Sequence, residues 1–156
     1  MIRVALIVFL CALCFDFCSS SYNIELLRYE HDLQIISEHI CPGINRRPVK
    51  TLSFIDEEAW FFPPEAIGVS YRCWFGYMCS VSISSQFWSD ASERQRLALL
   101  AHELGHAWFD IDHVNDDGRI MSELLDPLID FNTEVILFYT EECLRQSKRP
   151  TNFKLE

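Results

Sequence analysis

The stretch His102-Glu103-Leu104-Gly105-His106 decides how this 156-residue chain is interpreted. In an α-helix, side chains four residues apart lie on one face, so both imidazoles can reach a single metal ion. Glu103 follows the first histidine and can address a water molecule on that ion. We therefore predict a helix that places two metal ligands and a proton acceptor within one turn.

A catalytic zinc ion usually takes three protein ligands and leaves one position for water, so the chain must supply a third ligand. We predict His113, because a bend after the helix ends near Phe109 would return it to the ion. Asp112 is an alternative. A distant glutamate is a second alternative, and the candidates are Glu123, Glu134 and Glu141.

Together with Ile120-Met121-Ser122, this pattern resembles the metzincin clan of zinc peptidases, in particular its small secreted bacterial members. The resemblance covers about twenty residues of the chain. It implies a zincin-like fold, one catalytic Zn²⁺, Glu103 as the general base and Met121 in a turn beneath the metal. The ligands that it implies are His102, His106 and His113.

The pattern departs from the clan in two places. The clan spaces its ligands as H-E-x-x-H-x-x-G-x-x-H, whereas here one residue is inserted and Asp110 takes the place of the glycine. A glycine at such a bend commonly adopts a left-handed backbone, and aspartate is among the few other residues that tolerate it. In addition, the tyrosine that some members carry just after the turn methionine is missing here.

Residues 1–20 have the three parts of a secretory signal peptide, namely a basic start, an apolar run and an exit of small residues. We expect cleavage near Ser20 and a secreted or periplasmic mature protein. The apolar run is too short to predict a membrane-spanning helix. One alternative is a lipoprotein anchor on Cys11, Cys14 or Cys18, although the residue pattern that usually precedes such an anchor is missing. Another is a buried N-terminal helix of a cytosolic protein.

Four cysteines follow the signal peptide, and an even number in an exported chain suggests two disulfides. We favour Cys41–Cys143, which would tie an N-terminal helix to a C-terminal one, and Cys73–Cys79, which brackets a short aromatic loop. Alternatively, all four cysteines are reduced core residues. A Cys41 thiolate that caps the zinc is a further alternative.

The rest of the chain has the length of one domain over residues 21–147, followed by a flexible tail over residues 148–156. Hydrophobic residues make up 49% of the chain, which is sufficient for a core. The formal net charge of −10, without basic runs, argues against nucleic acid or anionic lipid as a partner. We expect a monomer whose partner is a peptide or protein substrate.

Periodicity predicts an α+β fold with a small twisted mixed sheet packed on a long active-site helix, flanked by N- and C-terminal helices. The central helix starts at a capping box of Asp90 and Glu93, with Ser89 as a competing cap. Asn132 or Thr133 caps the last helix. The other predicted elements are a helix over 24–40 and strands over 51–55, 69–75 and 80–84. We expect the cleft below an edge strand and the strand over 80–84 to bind an extended peptide.

The chemistry of this site predicts an enzyme, a zinc metalloendopeptidase that hydrolyses peptide bonds with a metal-bound water and Glu103 as the general base. Two rivals are a gluzincin-like metallopeptidase with a distant glutamate ligand and a catalytically silent binding protein braced by zinc. A third is a non-peptidase hydrolase or an intracellular gluzincin-like regulator without a signal peptide. Glu103 argues against the brace, since a structural zinc site does not need it.

Overall fold

The computed structural model describes residues 21–56, 63, 66–72, 78–115, 119–122 and 130–148. These residues form an α+β fold, which confirms the predicted class. The elements in chain order are β1 (Ser21–Tyr22), α1 (Ile24–Ile40), β2 (Thr51–Ile55), β3 (Gly68–Arg72), β4 (Met78–Ser84), α2 (Ser85–Asp90), α3 (Glu93–Phe109) and α4 (Phe131–Ser147). The predicted signal peptide and the tail beyond Lys148 lie outside the described residues.

The four strands form one mixed sheet in the order β1-β2-β4-β3. Strands β1, β2 and β4 run parallel, and β3 runs antiparallel to β4 at one end of the sheet. The prediction that residues 80–84 bind a peptide as a further strand is wrong, because β4 is already paired on both sides. Alternation of polar and apolar residues reveals a strand but not its neighbours, and here even Ser82 and Ser84 are buried.

Helix α3 begins later than predicted. Ser92 is its N-cap and forms a capping box with Gln95, whose side chain accepts a hydrogen bond from the Ser92 backbone amide at 2.9 Å. The predicted caps Ser89 and Asp90 belong instead to the short helix α2. The two helices are separate because the extended backbone of Ala91 interrupts the helical conformation.

Helix α4 also begins before its predicted caps. Asp130 occupies the N-cap position and makes no side-chain hydrogen bond to the helix backbone. Its carboxylate accepts a hydrogen bond from Thr133 Oγ1 at 2.8 Å instead. Asn132 and Thr133 therefore lie inside the first turn, and the prediction that one of them caps the helix is wrong.

Helix α3 lies at the centre of the core. All of its residues from Ala98 to Phe109 are buried except His106, because the helix contacts β3, β4, α1 and α4. A helix that is apolar on nearly all sides requires such surroundings. As a result, the ionisable side chains of His102 and Glu103 lie in a protein interior and not on a solvated helix face.

A disulfide joins Cys41, just after α1, to Cys143 in α4, with the two Cα atoms 5.7 Å apart. The predicted pairing of these cysteines is confirmed, and the Cys41 sulfur is therefore not a free thiolate that could cap a metal. The predicted Cys73–Cys79 pair lies outside the described side chains. Each helix in the described part of the chain is too short or too polar to traverse a lipid bilayer.

Candidate metal centre

Helix α3 carries His102 and His106 one turn apart, and His113 returns to them after the helix has ended. The His102 Nε2 atom lies 3.2 Å from the Nε2 atoms of both other rings, and His106 Nε2 lies 3.1 Å from His113 Nε2. The three nitrogen atoms thus form a nearly equilateral triangle. The structure brings together the three residues that the sequence predicted as metal ligands.

The donor set and its spacing fit a divalent metal ion. A tetrahedral zinc ion with Zn–N bonds of about 2.0–2.1 Å separates its ligand nitrogens by roughly 3.3–3.4 Å, close to the separations observed here. Imidazole also suits copper, iron and nickel, so the triad could bind several kinds of metal ion. Among the described residues, this is the only group of three or more metal-ligating side chains that could hold an ion.

Backbone carbonyl groups fix the orientation of two of the rings. His102 Nδ1 lies 2.6 Å from the Ile120 carbonyl oxygen, and His106 Nδ1 makes a short hydrogen bond to the Ile111 oxygen. Donation from Nδ1 leaves Nε2 unprotonated and available, as is typical of metal-ligating histidines. Burial, which the neighbouring imidazoles reinforce and the hydrogen bond to Ile120 opposes, lowers the pKa of His102 to about 4, so this ring is neutral near pH 7.

The bend that follows α3 depends on Asp110. This residue ends the helix in the left-handed conformation, with φ 58° and ψ 45°, as expected for an aspartate at such a bend. Its carboxylate lies 3.2 Å from the Arg47 guanidinium. Two of the last helical carbonyls are satisfied as well, since Arg47 N donates to Trp108 O at 3.0 Å and Arg145 Nη2 donates to Phe109 O at 2.8 Å.

Met121 is buried against Gly105 of helix α3. A Cβ atom at residue 105 would clash with Met121 Sδ and stand 3.0 Å from Phe138 Cζ, so a side chain there would force Met121 to shift. The Met121 carbonyl oxygen accepts a hydrogen bond from Val114 N at 2.8 Å, which ties the turn to the segment that follows the bend. The turn that contains Met121 is thus packed directly on helix α3.

Glu103 is buried between α3 and strand β3. Its Oε2 atom lies 2.7 Å from Ser70 Oγ, which also lies 2.8 Å from the Glu103 carbonyl oxygen. Ser70 is the donor in both contacts, and a hydroxyl with one proton serves one of these two acceptors at a time. Burial raises the pKa of Glu103 to about 7, whereas the Ser70 hydrogen bond lowers it. Gly68 leaves room for the carboxyl group, since a Cβ atom there would stand 2.6 Å from Oε1.

Sequence reasoning missed Ser70 and Gly68 as site residues. The two lie two positions apart on β3 and therefore share the face that meets Glu103. Nothing local in the sequence identifies them, because their role depends on β3 lying alongside α3. Their role could be inferred from the sequence only if the sequence carried a signal for the contact between β3 and α3.

The alternative third ligands are placed elsewhere. Asp112 is exposed and does not belong to the group that could hold a metal. Glu134 and Glu141 pair with Arg119, at 3.0 Å and 2.8 Å, and Glu123 lies outside the described residues. The geometry of the described part therefore favours His113 as the third ligand.

Comparison of the chain with protein-family models, curated proteins and solved structures found no match. The site must therefore be judged by its own geometry. Three imidazoles converge on one point, and Glu103, the residue after the first of them, carries a buried carboxyl group whose pKa is raised to about 7. The imidazoles can bind a metal ion, and the carboxyl group can exchange a proton.

Proposed function

We propose that this chain is a zinc-dependent endopeptidase with a zincin-like fold of the metzincin type. The observation that carries the proposal is that Glu103, a buried carboxyl group, follows directly in helix α3 on the first of three imidazoles that converge on one point. A purely structural metal site does not need this carboxyl group. Ionisable groups with perturbed pKa values are concentrated at functional sites, which supports a chemical role for it.

Zinc is the metal that we propose, because three histidines and one open position form a common catalytic zinc site. When bound, zinc would polarise a substrate carbonyl and lower the pKa of a coordinated water molecule. The chain's own contribution is the fixed orientation of the ligands. The carbonyl groups of Ile120 and Ile111 hold His102 and His106 with their Nε2 atoms unprotonated.

Glu103 is the proposed proton carrier of the reaction. Its carboxylate accepts a proton from the attacking water, and the carboxyl group then donates that proton to the leaving amine. The raised pKa of about 7 describes the metal-free site. A cation bound to the adjacent triad favours the carboxylate and lowers this pKa, so the group is ready to accept a proton at neutral pH.

We propose that the peptide substrate binds along strand β3 and not along residues 80–84. Among the described strands β3 lies at one end of the sheet, next to β4, so an extended peptide could be added on the side of β3 that faces away from β4. The strand also lies beside Glu103. A peptide added to this edge would pass the carboxyl group that serves as the general base.

We propose that the protein is secreted or periplasmic and acts as a monomer on peptides or proteins. The Cys41–Cys143 disulfide supports export, because such bonds persist mainly in oxidising compartments. The composition of residues 1–20 supports the same conclusion. N-terminal sequencing of the exported protein should give a start near Ser21, and an intact Met1 would contradict a cleaved signal peptide.

The decisive test of the activity is a pair of glutamate substitutions on helix α3. Zinc-loaded protein should cleave unfolded casein, and a chelator should stop the cleavage. Glu103→Gln should retain zinc and lose activity by about 10²- to 10⁴-fold, the usual contribution of a general acid–base. Glu93→Gln, the same change at an exposed position of the first turn, should leave both properties unchanged.

Two outcomes would contradict the proposal. Unaltered turnover by Glu103→Gln would show that this carboxyl group is not the base. Zinc binding without cleavage of any peptide by the unaltered protein would favour the rival function, a binding protein braced by zinc.

A further inference from the structure

We propose that strand β3 positions the Glu103 carboxyl group, with Gly68 providing the space and Ser70 the hydrogen bond. This inference rests on the proposed function, because the position of the carboxyl group matters to the reaction only if Glu103 carries a proton. Both residues act through Glu103, so they are positioning residues.

The Ser70 hydroxyl contacts Glu103 at two points. One is the carboxyl oxygen Oε2 at 2.7 Å, and the other is the main-chain carbonyl oxygen of the same residue at 2.8 Å. The main chain of α3 is held in the core, so the second contact fixes where the hydroxyl lies. A hydroxyl fixed in this way restricts the rotamers of a side chain that would otherwise have three free torsions.

Gly68 limits the same side chain from another direction. A Cβ atom at residue 68 would stand 2.6 Å from Oε1, 2.9 Å from Cγ and 3.0 Å from Cδ of Glu103. Three atoms of one side chain thus lie against the backbone of β3. Even a methyl group at this position would force the carboxyl group to move.

The register of the sheet keeps both residues facing Glu103. Gly68 is paired with Ile83 and Ser70 with Val81, and these two partners on β4 are fully buried in the core. Paired residues of neighbouring strands project to the same face of a sheet. The face of β3 that meets Glu103 is therefore fixed by the core.

The same strand has two roles in this arrangement. Its outer edge is the one that we propose for the peptide substrate, and its inner face holds the general base. Strand β3 would then set the distance between the scissile bond of the substrate and the carboxyl group of Glu103. Precise positioning of reacting groups contributes mainly to the rate of the bound complex, so the effect should appear in kcat.

The first test compares three variants of the zinc-loaded protein. Ser70→Ala should lower kcat by about 10- to 100-fold, the loss expected for a hydrogen bond to an ionised group, with little change in KM or zinc affinity. Ser70→Thr retains a hydroxyl on a residue favoured in strands and should recover most of kcat. Ser82→Ala is the matched control, because Ser82 lies on β4 opposite Val69 and so projects to the other face of the sheet.

The second test reads the position of the carboxyl group directly and does not require activity. Crystal structures of the zinc-loaded protein should show Glu103 in contact with Ser70 in the unaltered chain and displaced in Ser70→Ala. Gly68→Ala should displace the same carboxyl group by steric contact and lower kcat while zinc is retained. This variant tests the proposal at a second residue if Ser70→Ala does not fold.

The outcomes separate this inference from the proposed function. A Ser70→Ala variant with the kcat and the Glu103 position of the unaltered protein would overturn the positioning role and leave the peptidase assignment intact. An unaltered protein without peptidase activity, whose carboxyl group nevertheless moves in Ser70→Ala, would overturn the peptidase assignment and support the contact.

Discussion

Met121 packs so closely on Gly105 that a side chain at residue 105 would displace it. The turn that contains this methionine also contains Ile120, whose carbonyl group orients the His102 ring. Helix α3 and this turn must therefore keep a fixed separation if the His102 ring is to point at the other two imidazoles. The geometry of the triad depends in part on two residues that bind no metal.

Substitution of Gly105 by alanine should loosen the site and destabilise the fold. The added methyl group clashes with Met121 Sδ and crowds Phe138, and overpacking of this kind costs about 1–3 kcal/mol. Urea unfolding and zinc titration should both show the loss. In combination with Met121→Ala the two losses should be less than additive, because the clash is then removed. Strict additivity would contradict the contact.

Substitution of Asp110 should separate backbone conformation from charge. Alanine is disfavoured in the left-handed conformation observed there, whereas glycine is not. We expect Asp110→Ala to lower the free energy of unfolding by about 1 kcal/mol more than Asp110→Gly. Arg47→Ala removes the ion pair alone and is the control. Equal losses for the alanine and glycine variants would show that the bend does not depend on this conformation.

Removal of the disulfide should destabilise the protein without removing a ligand. The bond between Cys41 and Cys143 closes a loop across 102 positions of sequence. In the chain-entropy model such a cross-link contributes roughly 4–5 kcal/mol. The Cys41→Ser, Cys143→Ser double variant should therefore unfold at a much lower urea concentration than the oxidised protein. Equal midpoints for the two would contradict a stabilising role.

The metal-free protein should show opposing effects of pH from Glu103 and His102. The folded pKa of Glu103 is raised from 4.5 to about 7, so the unfolded chain releases this proton first as the pH rises. Stability is therefore lost between pH 4.5 and 7, by about 3 kcal/mol. The folded pKa of His102 is lowered from 6.5 to about 4, so its effect is a loss of stability as the pH falls through that range.

The Glu103→Gln variant isolates one of these effects. In this variant the pH dependence of stability retains the contribution of His102 and loses the contribution of the Glu103 carboxyl group. Its free energy of unfolding, measured without metal, should rise from pH 4.5 to 7 relative to that of the unaltered protein. Parallel profiles for the two proteins would show that the Glu103 carboxyl group titrates normally in the fold.

The sequence allowed prediction of the features that depend on local spacing. His102 and His106 lie one turn apart on any helix, and the left-handed bend follows from the place of Asp110 between the last two histidines. The α+β class and the Cys41–Cys143 pair were also predicted correctly. The histidine pair and the bend depend on residues close in sequence, and an even number of cysteines leaves few possible pairings.

Features that depend on how elements pack could not be predicted. Residues 80–84 have the alternation of a strand, but only the sheet order shows that, among the described strands, β3 and not β4 lies at one end of the sheet. Ser70 meets Glu103 because two elements far apart in sequence lie side by side. The predicted start of α3 was also wrong, because several polar residues near the Ser92–Gln95 capping box could also cap a helix. The capping preferences of these residues do not decide which of them is the N-cap.

Zinc stoichiometry of the mature protein tests the central claim most directly. Equilibrium dialysis followed by elemental analysis should give one tightly bound zinc ion per chain in the unaltered protein and in Asp112→Ala. Tight binding should be lost in His113→Ala, because the three Nε2 atoms together form the site. Full zinc occupancy in His113→Ala, or an unaltered protein that binds no zinc, would contradict the account.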